Sequence, residues 1–353
     1  MKRSVFIAVF LLAGFLLLGC GSSSKNSGTH AYVVNNSAGN VDIFNIQTDG
    51  SLSASNGSPF NVGANPLCLV FAPNGKFAYG VNKGTTTINI YAVNTDGSLA
   101  SSSTMTDSGY PINLAIDSTG TYLYAADSGV LGSPGISVYT IGSTGALTTN
   151  SSVPLTAAAA FLATSSSAAG FLYASIPNSG TILAFTINSS TGALTALGSP
   201  VSSGIRPTFL AFSGSYLLAA DNGGQSVWVY QIQSGSLTNI SGSPFVSGLN
   251  PSAIAVSGQN VYVANQNSDT ISVFGISANG QLGQLSGSPY ATNGTGPTAI
   301  AVSPQANAVY VGDLGTSKID EFQIGSVNNF LSVTPFSASP LSADGGPVWI
   351  AIH

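Results

Sequence analysis

The sequence predicts an all-β fold, a seven-bladed β-propeller of four-stranded antiparallel blades, on three observations. First, one strand pattern recurs seven times: a branched aliphatic residue, two residues, Phe or Tyr, one residue, an aliphatic. The seven copies are Val41/Phe44/Ile46, Ile88/Tyr91/Val93, Ile136/Tyr139/Ile141, Ile182/Phe185/Ile187, Val227/Tyr230/Ile232, Ile271/Phe274/Ile276 and Ile319/Phe322/Ile324. Second, the aromatic advances by 44–48 residues each time, the period of four-stranded propeller blades. Third, no capped run with apolar residues at helical spacing occurs between Thr29 and His353. A fixed aromatic in a β-branched run suits a strand packed between two neighbouring sheets.

The four strands of a blade are designated A to D from the axis outward. Strand B is the Tyr-centred run, as in Val261–Asn265, and strand C is the aromatic run, as in Ile271–Ile276. C turns into D through Gly-containing pairs such as Asp49-Gly50, Asp96-Gly97, Thr144-Gly145 and Ser234-Gly235. Gly supplies the positive φ that such hairpin turns require. D often ends in Gly-Ser-Pro, at Pro59, Pro200, Pro244 and Pro289, and proline suits an outer edge strand because its missing N–H costs no ladder bond. Strand A then starts at a proline: Pro66, Pro111, Pro207, Pro251, Pro297 and Pro347. The repeat near Ala157–Thr164 lacks it and is the most degenerate.

Cut this way, the chain begins with a B strand at Ala31–Asn35 and ends with an unpaired A strand, Pro347–His353. Joining the two completes a blade, closes the ring and leaves no open sheet edge at the seam. Trp349 is then expected near the axis.

Ahead of the propeller, Met1-Lys2-Arg3 is positive and Ser4–Leu18 is almost wholly apolar, the build of a signal peptide. The run Leu17-Leu18-Gly19-Cys20 resembles a bacterial lipobox, which implies lipidation of Cys20. An ordinary secretory signal is the competing reading. The expected organisation is a signal peptide over residues 1–19, a lipidated Cys20 with a Ser/Gly/Asn-rich tether over 20–30, and one propeller over 31–353. The location expected is the extracytoplasmic side of a bacterial envelope, anchored to membrane through Cys20. Cys68, the other cysteine, reads as a buried small hydrophobe.

Charged residues are 5% of the chain and the net charge is −5; soluble domains average roughly 25% charged. An acidic balance argues against nucleic-acid binding. No cofactor fingerprint and no His/Cys metal spacing occurs, so no cofactor or metal is expected, and the protein is expected to be a monomer.

Tyr32-Val33-Val34-Asn35 and Tyr262-Val263-Ala264-Asn265, the latter followed by Thr270–Phe274, resemble YVTN-type propeller repeats. Everything after Thr29 is similar to the seven-bladed lactonase-like family that includes propeller-type 6-phosphogluconolactonases. The resemblance implies the fold and raises lactone hydrolysis as an activity, without supplying a motif residue for it.

In a propeller the B–C and D–A connections share one face. B strands end in Asn35, Asn82, Asp127, Asp221, Asn265 and Asp313, with Ile176 in the degenerate repeat. Such residues can bond their own turn backbone; alternatively, carboxylates around one central mouth could bind a cation or polarise a substrate. Arg206, the only arginine after the signal, and Lys83, Asp107 and Asp344 belong to the same face. Arg206 either clamps an anion or pairs locally with Asp221. The candidate catalytic set is Arg206 with Asp127, Asp221 and Asp313; candidate binding residues are Lys83, Asn35, Asn82, Asn265, Asp107 and Asp344. The leading expectation is a lipid-anchored module binding a small molecule, carbohydrate or protein at the central mouth. The alternative is a lactonase-like hydrolase opening a sugar lactone there.

Overall fold

The computed structural model describes residues 30–130, 132–166, 170–303, 305–327, 330–336 and 339–353. The signal segment, Cys20 and the tether up to residue 29 lie outside the described residues.

The described residues form seven antiparallel sheets with strands ordered A-B-C-D, which is the propeller the sequence predicts. Blades are numbered here by their B strands: His30–Asn35, Phe77–Asn82, Tyr122–Asp127, Phe171–Ile176, Tyr216–Asp221, Asn260–Asn265 and Ala308–Asp313. His30 already belongs to the first strand rather than to the tether. In blade 4 the innermost strand shrinks to four residues, Phe161–Thr164, where the proline is missing.

Seven apolar cores, one between each adjacent pair of blades, hold the ring together. The two signature aromatics of a blade serve opposite sides of its sheet. In blade 2, Tyr91 of strand C packs toward blade 1, and Tyr79 of strand B packs toward blade 3. Five of the B-strand tyrosines also carry a polar latch. Tyr32, Tyr79, Tyr124, Tyr173 and Tyr310 donate to the carbonyls of Gly97, Gly145, Gly192, Gly235 and Gly50, each in the C–D turn of the next blade. Burial pushes the pKa of all five phenols up. Each glycine fits because it is small: a Cβ on Gly145 would stand 2.4 Å from the Phe77 ring.

Sequence reading takes D as one strand. The structure splits it in five blades, and only blades 2 and 3 keep a continuous outer strand, Leu99–Thr106 and Leu147–Pro154. Proline removes a donor at each split, and in four of the five the preceding serine repairs the ladder. Ser58, Ser243, Ser288 and Ser339 accept the strand-C N–H groups of Ile43, Val229, Val273 and Glu321 at 2.8–3.0 Å.

The ring closes where expected. Strand Pro347–Ile352 pairs antiparallel with His30–Asn35, and His30 and His353 exchange main-chain hydrogen bonds at 2.9 Å. Trp349 lies at the axis, beside Phe161 and Phe209 at ring-centroid distances of 5.8 and 6.2 Å. Its indole N–H reaches across to the carbonyl of Leu69 in blade 2 at 2.9 Å. Cys68 is a buried free thiol, and burial pushes its pKa up to about 12.

Candidate functional site

The residues closing the B strands turn inward, beneath the D–A loop of their own blade. Asn35, Asn82, Asp127, Asp221, Asn265 and Asp313 are 0–5% exposed, and Ile176 takes the place in blade 4 at 3%. Glycines of those loops pack directly against three of them. A Cβ would meet Asp127 from Gly109 at 2.7 Å, Asn265 from Gly248 at 2.6 Å, and Asp221 Oδ2 from Gly204 at 1.8 Å. The D–A loops therefore close onto these side chains as onto pegs.

The four pegs Asn35, Asn82, Asn265 and Asp221 are hydrogen-bonded within their own blade or its entry loop. Asn35 donates to Asp42 at 2.7 Å and to Asn40 at 3.0 Å. Asn82 donates to the Val62 and Ala64 carbonyls and accepts from Asn89 at 3.1 Å. Asn265 donates to Ser272 at 2.9 Å and accepts the Gly248 N–H. Asp221 accepts the main-chain N–H groups of Ile205 at 3.0 Å and Arg206 at 2.7 Å. The expected pairing of Asp221 with Arg206 is thus made through the Arg206 backbone, and the Arg206 side chain is exposed.

Two blades bring acids together. In blade 3, Asp127 accepts Ser137 Oγ at 2.7 Å, while its Oδ1 is buried without a hydrogen-bond partner. Asp107 reaches over from the D–A loop and accepts the Tyr139 hydroxyl and the Gly109 N–H. Burial, and then the charge of Asp107, raise the Asp127 pKa to about 7. In blade 7, Asp313 faces Asp320; burial and then Asp320 raise its pKa to about 8. Asp107 is 3% exposed and Asp313 0%, so neither stands open to solvent as a surface ligand.

The remaining candidates are separate. Lys83 and Asp344 are exposed. Lys83 donates its main-chain N–H to the Asn65 carbonyl. Asp344 accepts Asn40 Nδ2 at 2.8 Å and gives its own N–H to Asp42. The structure thus joins the candidates blade by blade, not as one converging set. At the axis it places a small apolar hollow lined by Phe161, Phe209, Trp349 and the inner strands of blades 6 and 7. Of the exposed large apolar residues, Val130, Ile205 and Leu249 lie in B–C or D–A loops and Val246 ends the outer strand Phe245–Val246 just before such a loop, on the face that carries Arg206.

Sequence reasoning missed Asp42, Asn89, Ser137 and Asp320, which meet the pegs from strand C. The signal was available: each follows the branched aliphatic that opens the strand-C pattern, a place where a polar residue is buried. Blade 4 is apolar at both positions, with Ile176 and Leu183. Asp49 and Asp96 are turn residues as read, and Asp117 is another; they accept from Ser51, Ser98 and Thr119.

A family model described as a lactonase, seven-bladed β-propeller, matches residues 22–129, 130–243 and 238–339. The chain belongs to this lactonase propeller family. No curated protein matches it. Among solved structures, this lactonase-family propeller is similar to the periplasmic gluconolactonase of Pseudomonas aeruginosa, at 18% identity and a TM-score of 0.78, covering 92% of this chain and 99% of that one. A provisionally assigned 6-phosphogluconolactonase of Bacteroides fragilis gives 20% identity and 0.75, covering 94% and 99%. Hydrazine synthase of Kuenenia stuttgartiensis gives 15% and 0.64, covering 89% and 94%. At these identities the likeness carries fold, and the lactonase-family propeller must be assigned a chemistry from its own residues.

Proposed function

We propose that this lactonase-family propeller is a hydrolase that opens an uncharged sugar lactone. The observation that carries the reading is the blade 3 pair. Asp127 has a bare carboxylate oxygen and a pKa held near 7, with Asp107 and Tyr139 joined behind it. A general base works best when its pKa lies near the working pH. Lactone opening needs a base to take a proton from water and a positive group for the developing oxyanion. Asp127 suits the first role. Arg206 and Lys83 are the exposed cations of that face for the second. A sugar phosphate fits poorly, because few basic residues stand there to hold it. The P. aeruginosa neighbour is titled a gluconolactonase, which makes gluconolactone the first substrate to try. Purified protein should open it faster than buffer, and Asp127→Asn and Arg206→Ala should each lower kcat/KM at least tenfold while remaining folded. Equal rates in parent and both variants would end the proposal.

A second reading, a binding module without turnover, is favoured by the exposed Val130, Ile205, Val246 and Leu249 on the same face. A ligand that raises Tm with no product formed would select it. Either protein, we infer, is held at a membrane outside the cytoplasm through lipidated Cys20. The reading rests on the positive, apolar and Gly-Cys sequence of residues 1–20. Labelled fatty acid should enter the parent and not Cys20→Ser.

A further inference from the structure

In blades 1, 2, 3 and 6 the B-strand peg and its strand-C neighbour form a matched donor and acceptor: Asn35 with Asp42, Asn82 with Asn89, Asp127 with Ser137, and Asn265 with Ser272. Asp221 of blade 5 takes main-chain donors instead. Blade 7 departs from all of these. Its two positions both hold carboxylates, Asp313 and Asp320, each 0% exposed. Both oxygens of Asp313 are buried without a hydrogen-bond partner. The hydroxyl of nearby Thr292 has one proton, and it serves the carbonyls of Asp269 and Gly294, each at 3.1 Å. Asp320 is held by the Asn293 N–H at 2.5 Å and by Asn293 Nδ2 at 3.3 Å. The loop from Thr292 to Gly296 lies tightly over the pair: a Cβ on Gly294 would stand 2.5 Å from Asp313 Oδ2. A third carboxylate, Asp269 of blade 6, acts on Asp313 electrostatically and takes the Gly296 N–H at 2.7 Å.

Two carboxylates buried in contact, one with no donor, demand positive charge between them. We propose that blade 7 binds a calcium-class divalent cation between Asp313 and Asp320, beneath the loop from Thr292 to Gly296. The surroundings are oxygen donors of the hard kind: carboxylates, loop carbonyls and the hydroxyls of Thr292 and Thr316. Calcium accepts such irregular oxygen sets, whereas magnesium demands a near-ideal octahedron and zinc prefers nitrogen and sulfur. Among the described residues no three His, Cys, Asp or Glu side chains converge to hold a metal. Charge therefore comes from the Asp313–Asp320 pair, with neutral oxygens completing the shell and Asp269 adding to the field.

Two rivals can supply the charge instead. One is a proton shared by the pair. The other is Lys318, which stands opposite Asp313 in the strand register. The test uses the full chain, stripped with chelator at pH 7.5 and titrated with CaCl₂, with NaCl and MgCl₂ as controls at matched ionic strength. Saturable binding of one Ca²⁺ is expected by calorimetry, with Tm rising about 5 °C at roughly a hundred times Kd. Asp320→Asn gives Asp313 an amide donor, as Asn89 gives Asn82 in blade 2. It should fold, hold its Tm in chelator, and lose the calcium response; Asp313→Asn should do the same. Should the stripped parent fail to stay folded, metal analysis of the untreated proteins decides, with about one calcium per parent chain and none in Asp320→Asn. No saturable response in the parent, or an undiminished one in both variants, overturns the site. So does a calcium-blind protein whose Tm rises on acidification, or one destabilised by Lys318→Thr alone.

Discussion

The hydroxyl of Tyr79 in blade 2 donates to the carbonyl of Gly145 in blade 3 at 2.9 Å, joining two sheets that share no strand pairing. The same latch recurs from Tyr32, Tyr124, Tyr173 and Tyr310. Blade 5 has Leu218 at the tyrosine position and makes the reach from Tyr216 to the Ala278 carbonyl instead. Tyr79→Phe keeps the ring and strands a buried carbonyl, so it should lower unfolding free energy by about 1–2 kcal/mol. Urea denaturation of parent and variant measures this directly, and an unchanged midpoint would show that the latch adds nothing.

Trp349 lies at the axis and donates to the Leu69 carbonyl of the neighbouring blade. Trp349→Ala removes a large aromatic from the closing strand and should cost about 3–5 kcal/mol. Trp349→Phe retains most packing and leaves the Leu69 carbonyl unpaired, for about 1–2 kcal/mol. The order parent, Phe, Ala in urea midpoint is the expected result.

Asp127 gives a pH dependence whose direction can be worked out. Its folded pKa, about 7, lies above the roughly 3.9 of an unfolded aspartate. Between those values the native state binds the extra proton, so its contribution to stability falls as pH rises toward 7 and then levels off. Asp127→Asn should remove that slope, seen as a larger parent-minus-variant difference in unfolding free energy at pH 5 than at pH 8. If Asp127 is also the base, kcat/KM should climb through the same pH range.

Asp221 carries the entry loop of blade 5 on its carboxylate. Asp221→Asn sets an amide NH₂ against the Ile205 or Arg206 N–H and should cost about 1–3 kcal/mol. It should also reduce any activity that depends on Arg206. A variant as stable as the parent would show that the loop does not depend on this peg.

How much could be read in advance differs between scaffold and site. Repetition reports packing directly, because Phe44 and its six counterparts recur wherever a sheet is pressed between neighbours. The seam was equally legible from the lone strand at Pro347–His353. The pegs were not: a strand-end Asn or Asp reads the same whether it faces a mouth or lies beneath Gly109 or Gly204. Register resolves this, through strand-C residues such as Ser137 and Asp320 that no turn signal marks. The broken outer strand also escaped notice, since the serine that mends it at Ser243 looks like any loop serine.

The junction of His30–Asn35 with Pro347–Ile352 dictates an order of assembly on the ribosome. Blades 2 to 7 can complete their sheets as their residues emerge. The blade 1 strands between His30 and Asn61 must wait for Pro347–Ile352 to be translated, keeping an unpaired inner border until then. Substitutions in the final strand should therefore act on the yield of finished molecules as well as on their lifetime.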